Sequence, residues 1–537
     1  QNSRVRTAAM AELADRGDKS IVSQARATFL NTQYGATERA QCAAVYGSAE
    51  KWEDVFAEVE RSLLTGDGRG PASPKDVAEG TGFVRAFAEL MSERQDDSFA
   101  TAVSSVFDDS SPGARAMYAL AVSRNGAKAA EKVLRNAIDD EDLAVRVEGL
   151  RALAQRGTEG ARKLLDTQLR KADTESEKGI LVELVTELYG GDPSWVAELE
   201  KMASGEPSLT KNAALTCLAR VGGAYEQVAD AALDPEAPWG TQRAAIEAPR
   251  DLRTKEATEK LIFALERLDE RAADLACEAL RRLTGEKFRR TSVWPRWWAD
   301  HSEGFVPLTA KEYDDLLAKR EAAAEEASEQ IENKTVVGTF FGVELDSERL
   351  AFVIDCSGSM QEPMGPRTGG PGGKSGPTTG GGNEKDPPHV PRGSTRLEVA
   401  QNELLHFLGL LPETALVNVV RFSNDAKPWS SRLESIGKEK TAKSIRAFVE
   451  KLNPDGGTNV YAALKQAFED PDVDTIMFLS DGVPSVGEVL DIGTIASHVR
   501  IWNANRGVEI HIVSIGVEQP VLKALAEETG GSYTTIR

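Results

Sequence analysis

The chain has 537 residues, 41% of them hydrophobic, and a formal net charge of −21. This length predicts more than one domain, and the hydrophobic content is sufficient for packed cores. The negative charge argues against nucleic acid and anionic membranes as main partners, because phosphate groups would be repelled. No apolar run approaches the ~18 residues that a membrane-spanning helix needs, so no transmembrane segment is predicted.

Cysteine usage and the first residue bear on the compartment. Cys42, Cys217, Cys277 and Cys356 are far apart and form no Cys-x-x-Cys motif, so neither a disulfide framework nor a zinc site is indicated. Residue 1 is Gln rather than Met. Two localisations stay open: secreted or periplasmic if an export signal was removed before Gln1, and cytoplasmic otherwise.

Residues 1–300 carry a repeated helical pattern and almost no strand signal. Segments 150–157 and 215–222 share the motif Leu-x-x-Leu-Ala-x-x-Gly, and segment 10–17 has Met in the first position. Apolar residues three and four apart form one face of a helix, and the final Gly is a helix stop. Such helices bury their faces by stacking on neighbours. The pattern resembles HEAT repeats, and that resemblance implies an all-α solenoid.

Three tryptophans, Trp294, Trp297 and Trp298, close the repeat region. They either cap the apolar face of the last repeat or form an aromatic platform for a ligand. Similar Trp-rich ends follow HEAT-like repeats in other bacterial proteins, and this resemblance favours the cap.

Residues 301–335 are predicted to form a charged helical linker. Thr309 is a suitable N-cap for a helix over Leu308–Lys334, which is rich in Ala, Glu and Lys. Such a helix acts as a semi-rigid spacer between domains. The β-type run at 336–343 then predicts an extra strand or arm packed on the following domain.

Residues 336–537 form the last predicted domain, in which strand and helix patterns alternate. The predicted strands are Leu350–Ile354, Leu416–Phe422, Thr475–Leu479, Glu509–Ile515 and Ser532–Ile536. The predicted helices are Leu397–Leu411, Lys440–Leu452, Val460–Phe468, Gly493–Asn505 and Val521–Thr529. Near-continuous apolar strands separated by amphipathic helices indicate a doubly wound α/β fold with a mostly parallel sheet. Ligands of such sheets bind beyond the carboxyl ends of the strands.

Small oxygen-bearing side chains gather at these predicted strand ends. Asp355, Ser357 and Ser359 follow the first strand. Asp481 follows the third, and Thr458 lies in a Gly-Gly-Thr-Asn loop between the two. Carboxylate and hydroxyl oxygens are hard donors of the kind that suits Mg²⁺.

The three pieces, in this order, resemble the von Willebrand factor A domain and its metal-ion-dependent adhesion site. The resemblance covers residues 349–537 and implies a Rossmann-like fold that binds Mg²⁺, with Mn²⁺ and Ca²⁺ as alternatives. It further implies that a protein partner supplies an Asp or Glu to an open coordination position of the metal. The metal ligands that the resemblance implies are Asp355, Ser357, Ser359, Thr458 and Asp481.

A Gly/Pro-rich insertion at 361–395 departs from a compact domain of that family. Its composition cannot bury enough apolar surface to order itself. It is either a tolerated disordered loop or a flexible lid or tethered binding segment beside the metal site. Gly372–Ser375 lacks the earlier Gly and the flanking elements of a phosphate loop, so no nucleotide site is predicted. His389 is expected to be a solvated loop residue.

The sequence predicts a binding protein rather than an enzyme. No His pairs with another His or a Cys at zinc-ligand spacing, and no Gly-x-Ser-x-Gly motif lies in a suitable context. Two carboxylates at one site are also the pattern of an acid/base pair, but the flanking hydroxyls fit metal binding better.

We therefore expect a divalent-cation-dependent protein-binding scaffold with the helical repeats as a second interaction surface. An accessory subunit of an ATPase- or chelatase-type enzyme assembly is the alternative. In a third interpretation the metal only stabilises the fold.

Overall fold

The computed structural model describes residues 10, 12–13, 16, 18–63, 74–222, 225–288, 290–324, 338–345, 347–363, 393–515 and 520–536. Half of the first repeat motif, the end of the linker helix and nearly all of the Gly/Pro-rich insertion, with 372–375 and His389, lie outside these ranges. Within them, no helix is both long and apolar enough to cross a membrane. The chain divides into two compact units, Gln1–Glu332 with Asp491–Gly507, and Asn333–Leu490 with Val508–Arg537.

The first unit is helical. Its helices up to residue 324 are Lys19–Phe29 (α1), Ala36–Ala49 (α2), Glu53–Leu63 (α3), Pro74–Arg94 (α4), Asp97–Val106 (α5), Pro112–Ala121 (α6), Lys128–Ile138 (α7), Leu143–Arg156 (α8), Glu159–Lys171 (α9), Glu175–Tyr189 (α10), Pro193–Ala203 (α11), Leu209–Val221 (α12), Tyr225–Ala232 (α13), Trp239–Glu247 (α14), Pro249–Leu252 (α15), Lys255–Ala264 (α16), Glu270–Thr284 (α17), Val293–His301 (α18) and Ala310–Ala324 (α19). Many of these helices pack against both the next helix and the next but one, as α8 does with α9 and α10. This is the packing that stacked helical repeats require.

Glycines end the repeated helices, as the sequence motif predicts. Gly157 and Gly222 of the motif follow α8 and α12 with φ of +59° and +74°, and Gly285, outside the motif, follows α17 with φ of +76°. Glycine adopts this left-handed conformation without the steric cost that a Cβ adds.

The tryptophans at the end of the repeats are part of the core. Trp294 is fully buried and Trp298 is 3% exposed. The Trp294 ring lies 5.2 Å from that of Phe288, and the Trp298 ring lies 5.1 Å from that of Phe305, both edge to face. This burial favours the predicted cap over an aromatic platform for a ligand.

The second unit is built on a sheet. Its strands are Gly338–Phe340 (β1), Val343–Leu345 (β2), Arg349–Asp355 (β3), Leu416–Phe422 (β4), Ala426–Pro428 (β5), Glu434–Ser435 (β6), Thr475–Ser480 (β7), Glu509–Ile515 (β8) and Tyr533–Ile536 (β9). The main sheet has the order β5-β4-β3-β7-β8-β9, with β6 on β4. Strands β4, β3, β7, β8 and β9 are parallel, and β5 and β6 are antiparallel to β4. The predicted mostly parallel α/β fold is confirmed.

Helices cover both faces of this sheet. The helices after residue 390 are Arg396–Phe407 (α20), Glu439–Glu450 (α21), Val460–Ala467 (α22), Ile492–Asn503 (α23) and Pro520–Glu528 (α24). Residues Phe352 and Ile354 of β3 share a core cluster with apolar residues of α20 and α21. Helix α22 contacts β3 and β4 but contributes nothing to that cluster, so it lies on the opposite face.

The extra strand or arm predicted at 336–343 is a short hairpin in the described residues 338–345. Strands β1 and β2 pair antiparallel through a turn in which Phe341 and Gly342 have φ of +50° and +79°. Two residues with positive φ make the tight turn whose twist suits a hairpin. The Phe340 ring packs 5.4 Å from Phe352 and 5.7 Å from Phe407, which anchors the hairpin on the domain core.

Helix α23 follows β7 along the chain but belongs to the first unit. His498 Nε2 lies 3.3 Å from a carboxylate oxygen of Asp142, and Asn212 Nδ2 donates to the Asn505 carbonyl at 2.9 Å. The predicted domains, 1–300, 301–335 and 336–537, are each continuous along the chain. In the structure, residues 491–507 lie within the last of these ranges but group with the first compact unit.

Candidate metal centre

Parallel pairing brings the ends of β3 and β7 level with each other. In the β3–β7 register Ile354 is opposite Leu479, so Asp355 and Ser480 are the next residues on each strand. Strand β4 lies on the other side of β3. After β3 the chain crosses to β4, on one side, and after β7 it crosses to β8, on the other side. The neighbouring strands β3 and β7 thus lead the chain in opposite directions, and ligands of doubly wound sheets bind at such a point.

The Asp355 carboxylate is fully buried and held by two donors. The Ser357 backbone N–H donates to Oδ1 at 2.8 Å, and the Ser480 hydroxyl donates to Oδ2 at 2.6 Å. Burial raises the pKa of Asp355 to about 6, and the nearby charge of Asp481 adds to the rise. A buried carboxylate of this kind is costly to ionise, and a bound cation would offset the cost.

A chain of hydrogen bonds joins both predicted serines to the second carboxylate. The Ser357 and Ser359 hydroxyl oxygens are 3.0 Å apart, and Ser359 donates to Asp481 Oδ1 at 2.8 Å. The Asp481 side chain is fully buried, whereas Ser359 is only half-buried. Ser359 is thus the most accessible of these oxygen donors.

Backbone hydrogen bonds hold the loop that contains Thr458 beside the other predicted ligands. The Gly358 N–H donates to the Gly456 carbonyl at 3.0 Å, and the Thr458 N–H donates to the Ser485 hydroxyl at 2.9 Å. A Cβ built on Gly482 would lie 3.4 Å from Thr458 Oγ1, so the threonine hydroxyl faces the residue after Asp481. All five residues predicted as metal ligands are therefore gathered at one end of the sheet.

An arginine absent from the predicted site also contacts it. Arg396 Nη1 lies 2.6 Å from Asp481 Oδ2, and Nη2 lies 2.8 Å from Glu362 Oε2. The sequence offered one sign of its role, because Arg396 directly follows the insertion and opens a helix. Ser480 was also missed as a support of Asp355, although it stands beside Asp481 in the motif.

Cys356, inside the motif, is a packing residue. Its side chain is buried in the core cluster that contains Phe352 and Ile354. Burial raises the pKa of the thiol to about 12, so it stays protonated at neutral pH.

The donor set suits a hard divalent cation. Two carboxylates and three hydroxyls supply only oxygen, which Mg²⁺ prefers. In the described part of the chain, no three His, Cys, Asp or Glu side chains cluster as a metal site. The hydroxyl groups are therefore an essential part of the proposed ligand set, and they can rotate their protons away to present lone pairs.

Two family models match the chain. Residues 390–535 match the von Willebrand factor type A domain, and residues 100–184 match HEAT repeats. Both resemblances predicted from the sequence are confirmed. The matched range of the first model begins after Asp355, Ser357 and Ser359.

Curated relatives of one name, from several mammals, are among the matches. Inter-alpha-trypsin inhibitor heavy chain H2 from Sus scrofa is 31% identical over 128 residues, which is 21% of this chain and 13% of the relative. The Mus musculus protein is 32% identical over 128 residues, with the same coverage. The chain thus spans about an eighth of the length of these relatives, since 13% of each is covered.

Solved structures show a more distant likeness. A von Willebrand factor type A protein from Catenulispora acidiphila is 20% identical with a TM-score of 0.27, over 36% of this chain and 40% of that one. The PilB minor pilin from Streptococcus sanguinis is 16% identical with a TM-score of 0.23, over 35% of this chain and 56% of that one.

Proposed function

Because the chain carries a von Willebrand factor type A domain behind HEAT repeats, we propose that it is a non-enzymatic, divalent-cation-dependent protein-binding scaffold. Asp355, Ser357, Ser359, Thr458 and Asp481 would hold Mg²⁺, with Mn²⁺ and Ca²⁺ as alternatives. The observation that carries the proposal is the hydrogen-bonded path from Ser357 through Ser359 to Asp481, beside the buried Asp355.

The geometry favours binding over acid/base catalysis. Asp355 accepts from Ser480 and from the Ser357 backbone, and Asp481 is paired with Arg396. Both carboxylates are thereby fixed by their neighbours, and Asp481 is fully buried. When bound, the ion would supply positive charge and a coordination position for an anionic oxygen.

The protein's own side chains decide which partner fits. The two carboxylates bring two negative charges, so an incoming Asp or Glu would meet a net repulsion without the cation. Ser359 is the half-buried ligand and thus the side from which a partner carboxylate would arrive. We propose the helical repeats as a second interaction surface, since repeats of this kind present extended faces to partners.

The first test measures the metal alone. Mg²⁺ is titrated calorimetrically into the full chain and into Asp355→Ala and Thr458→Ala variants. The wild type should bind one ion and both variants should lose most of the affinity. Ser435→Ala, which removes a half-buried hydroxyl of β6 that donates to the Glu413 carbonyl in the same unit, is the control and should bind like the wild type.

The second test measures the partner. Proteins captured on the immobilised chain in Mg²⁺ are eluted with EDTA and identified by mass spectrometry. The proposal requires a partner that is lost with Asp355→Ala and kept with Ser435→Ala. Equal capture in EDTA and by both variants would contradict it, and co-elution of a ring ATPase would favour the alternative of an accessory subunit.

A further inference from the structure

A cationic side chain of the protein itself, that of Arg396, lies at the candidate centre. Arg396 Nη1 lies 2.6 Å from Asp481 Oδ2, and the carboxylate itself is fully buried. The other oxygen of Asp481 accepts from Ser359. The carboxylate is thus shared between a hydroxyl on the predicted ligand side and a guanidinium on the other.

The position of Arg396 is fixed by more than one contact. Its backbone N–H donates to the Glu362 carbonyl at 3.0 Å, and its Nη2 lies 2.8 Å from Glu362 Oε2. Pro363 and Thr395 form an antiparallel bridge beside this pair. The guanidinium therefore has two carboxylate partners, one fully buried and one, Glu362, 61% exposed.

We propose that Arg396 restrains metal binding at this centre by competing with the divalent cation for the charge of Asp481. The inference rests on the proposed function, because it assumes that Asp481 is a metal ligand. Glu362 gives the guanidinium a second acceptor, so Arg396 keeps one ion pair when its contact with Asp481 is broken.

The sign of the effect follows from electrostatics. A guanidinium that touches a metal-binding carboxylate repels a divalent cation on that carboxylate and lowers its net charge. An uncharged residue at position 396 should therefore bind Mg²⁺ more tightly, by about tenfold or more even with strong solvent screening. If Arg396 instead only orients Asp481 for the metal, its removal should weaken binding.

The experiment titrates MgCl₂ calorimetrically into the wild type, three single arginine variants, Asp355→Ala and the double variant Arg396→Gln/Asp355→Ala, each after EDTA treatment and buffer exchange. Arg396→Gln should bind about tenfold more tightly than the wild type. Arg396→Lys keeps the charge and should stay within about threefold of the wild type. Arg432→Gln is the control and should bind like the wild type, because Arg432 also pairs with a buried carboxylate, Asp470, at 3.4 Å, before the start of β7 and so at the other end of that strand from Asp481.

The outcomes separate this inference from the proposed function. If Arg396→Gln binds Mg²⁺ no more tightly than the wild type while Asp355→Ala does not bind it, only the role of Arg396 is overturned and the proposed function stands. No Mg²⁺ binding by any chain overturns both. If the wild type does not bind Mg²⁺ but Arg396→Gln does, and if adding Asp355→Ala abolishes that binding, both the role of Arg396 and the metal site are supported. Thermal melting in EDTA checks that each variant is folded.

Discussion

Ser480 donates a hydrogen bond of 2.6 Å from its hydroxyl to Oδ2 of Asp355, across the neighbouring strands β7 and β3. Together with the Ser357 N–H, this bond satisfies both oxygens of a carboxylate that has no contact with solvent. Two neutral donors do not remove the cost of a buried charge, so the pKa of Asp355 is raised to about 6.

The Asp355→Asn variant should therefore be more stable than the wild type when no divalent cation is present. A raised pKa means that the folded carboxyl contributes stability below the unfolded pKa and loses it as pH rises through about 6. At pH 7.5 in EDTA the neutral amide should gain about 3 kcal/mol, measured from the thermal transition of the sheet unit. At pH 3.5 the gain should vanish.

The same substitution should abolish stabilisation by Mg²⁺. Wild-type melting should rise with Mg²⁺ concentration by mass action, whereas the Asn variant should not respond. Asp425→Asn, which changes a carboxylate that is 52% exposed, serves as the control and should respond like the wild type. A wild-type transition insensitive to Mg²⁺ would contradict the site.

Sequence patterns predicted the site better than its surroundings. Asp355 and Asp481 follow short apolar runs that predict strands, and parallel strands place their carboxyl ends together. Arg396 could not be placed in the same way, because the number of residues in the preceding insertion does not fix where the chain returns. The Ser480 bond depends on strand register, which the sequence of β7 alone does not specify.

The helical unit shows a similar limit. The glycines that end α8, α12 and α17 were predictable because a left-handed residue is a local requirement. The inclusion of α23 in that unit was not, since its apolar pattern shows a buried face without saying what covers it.

A buried ion pair in the helical unit gives a second prediction. Arg39 Nη2 lies 2.6 Å from Glu58 Oε1, with each side chain 2% exposed, and the guanidinium stacks 4.4 Å from the centre of the Phe83 ring. Arg61 pairs with the same Glu58 at 2.7 Å but is 57% exposed. Arg39→Met should destabilise the unit by about 2 kcal/mol, because it removes the buried partner of Glu58 and the donor to the Phe29 carbonyl, while Arg61 stays paired with Glu58.

Arg61→Met provides the comparison and should cost under about 1 kcal/mol, because exposed ion pairs contribute little. Chemical denaturation of both variants, followed by far-ultraviolet circular dichroism, measures the difference. Equal losses for the two arginines would show that burial does not decide the strength of this pair.

The third prediction concerns the pH dependence of the helical unit. Burial raises the pKa of Glu183 on α10 above its ordinary value. A carboxyl with a raised folded pKa contributes stability below its unfolded pKa and loses it as pH rises through the folded value. Glu183→Gln should thus raise the melting temperature at pH 7.5 and leave it unchanged near pH 4. Glu198→Gln, on an exposed position of α11, should change neither, and an equal gain at both pH values would refute the explanation.

Two glycines three residues apart give opposite expectations for the same substitution. A Cβ would meet nothing within 4 Å at either Gly157 or Gly160, so packing does not distinguish them. Gly157 has φ of +59°, where alanine costs about 1 kcal/mol. Gly160 lies in the first turn of α9, where alanine reduces the entropy of the unfolded chain and should add about 0.5 kcal/mol. Gly157→Ala should therefore lower, and Gly160→Ala raise, the denaturation midpoint of the helical unit, and shifts of the same sign would show that backbone conformation is not the deciding term.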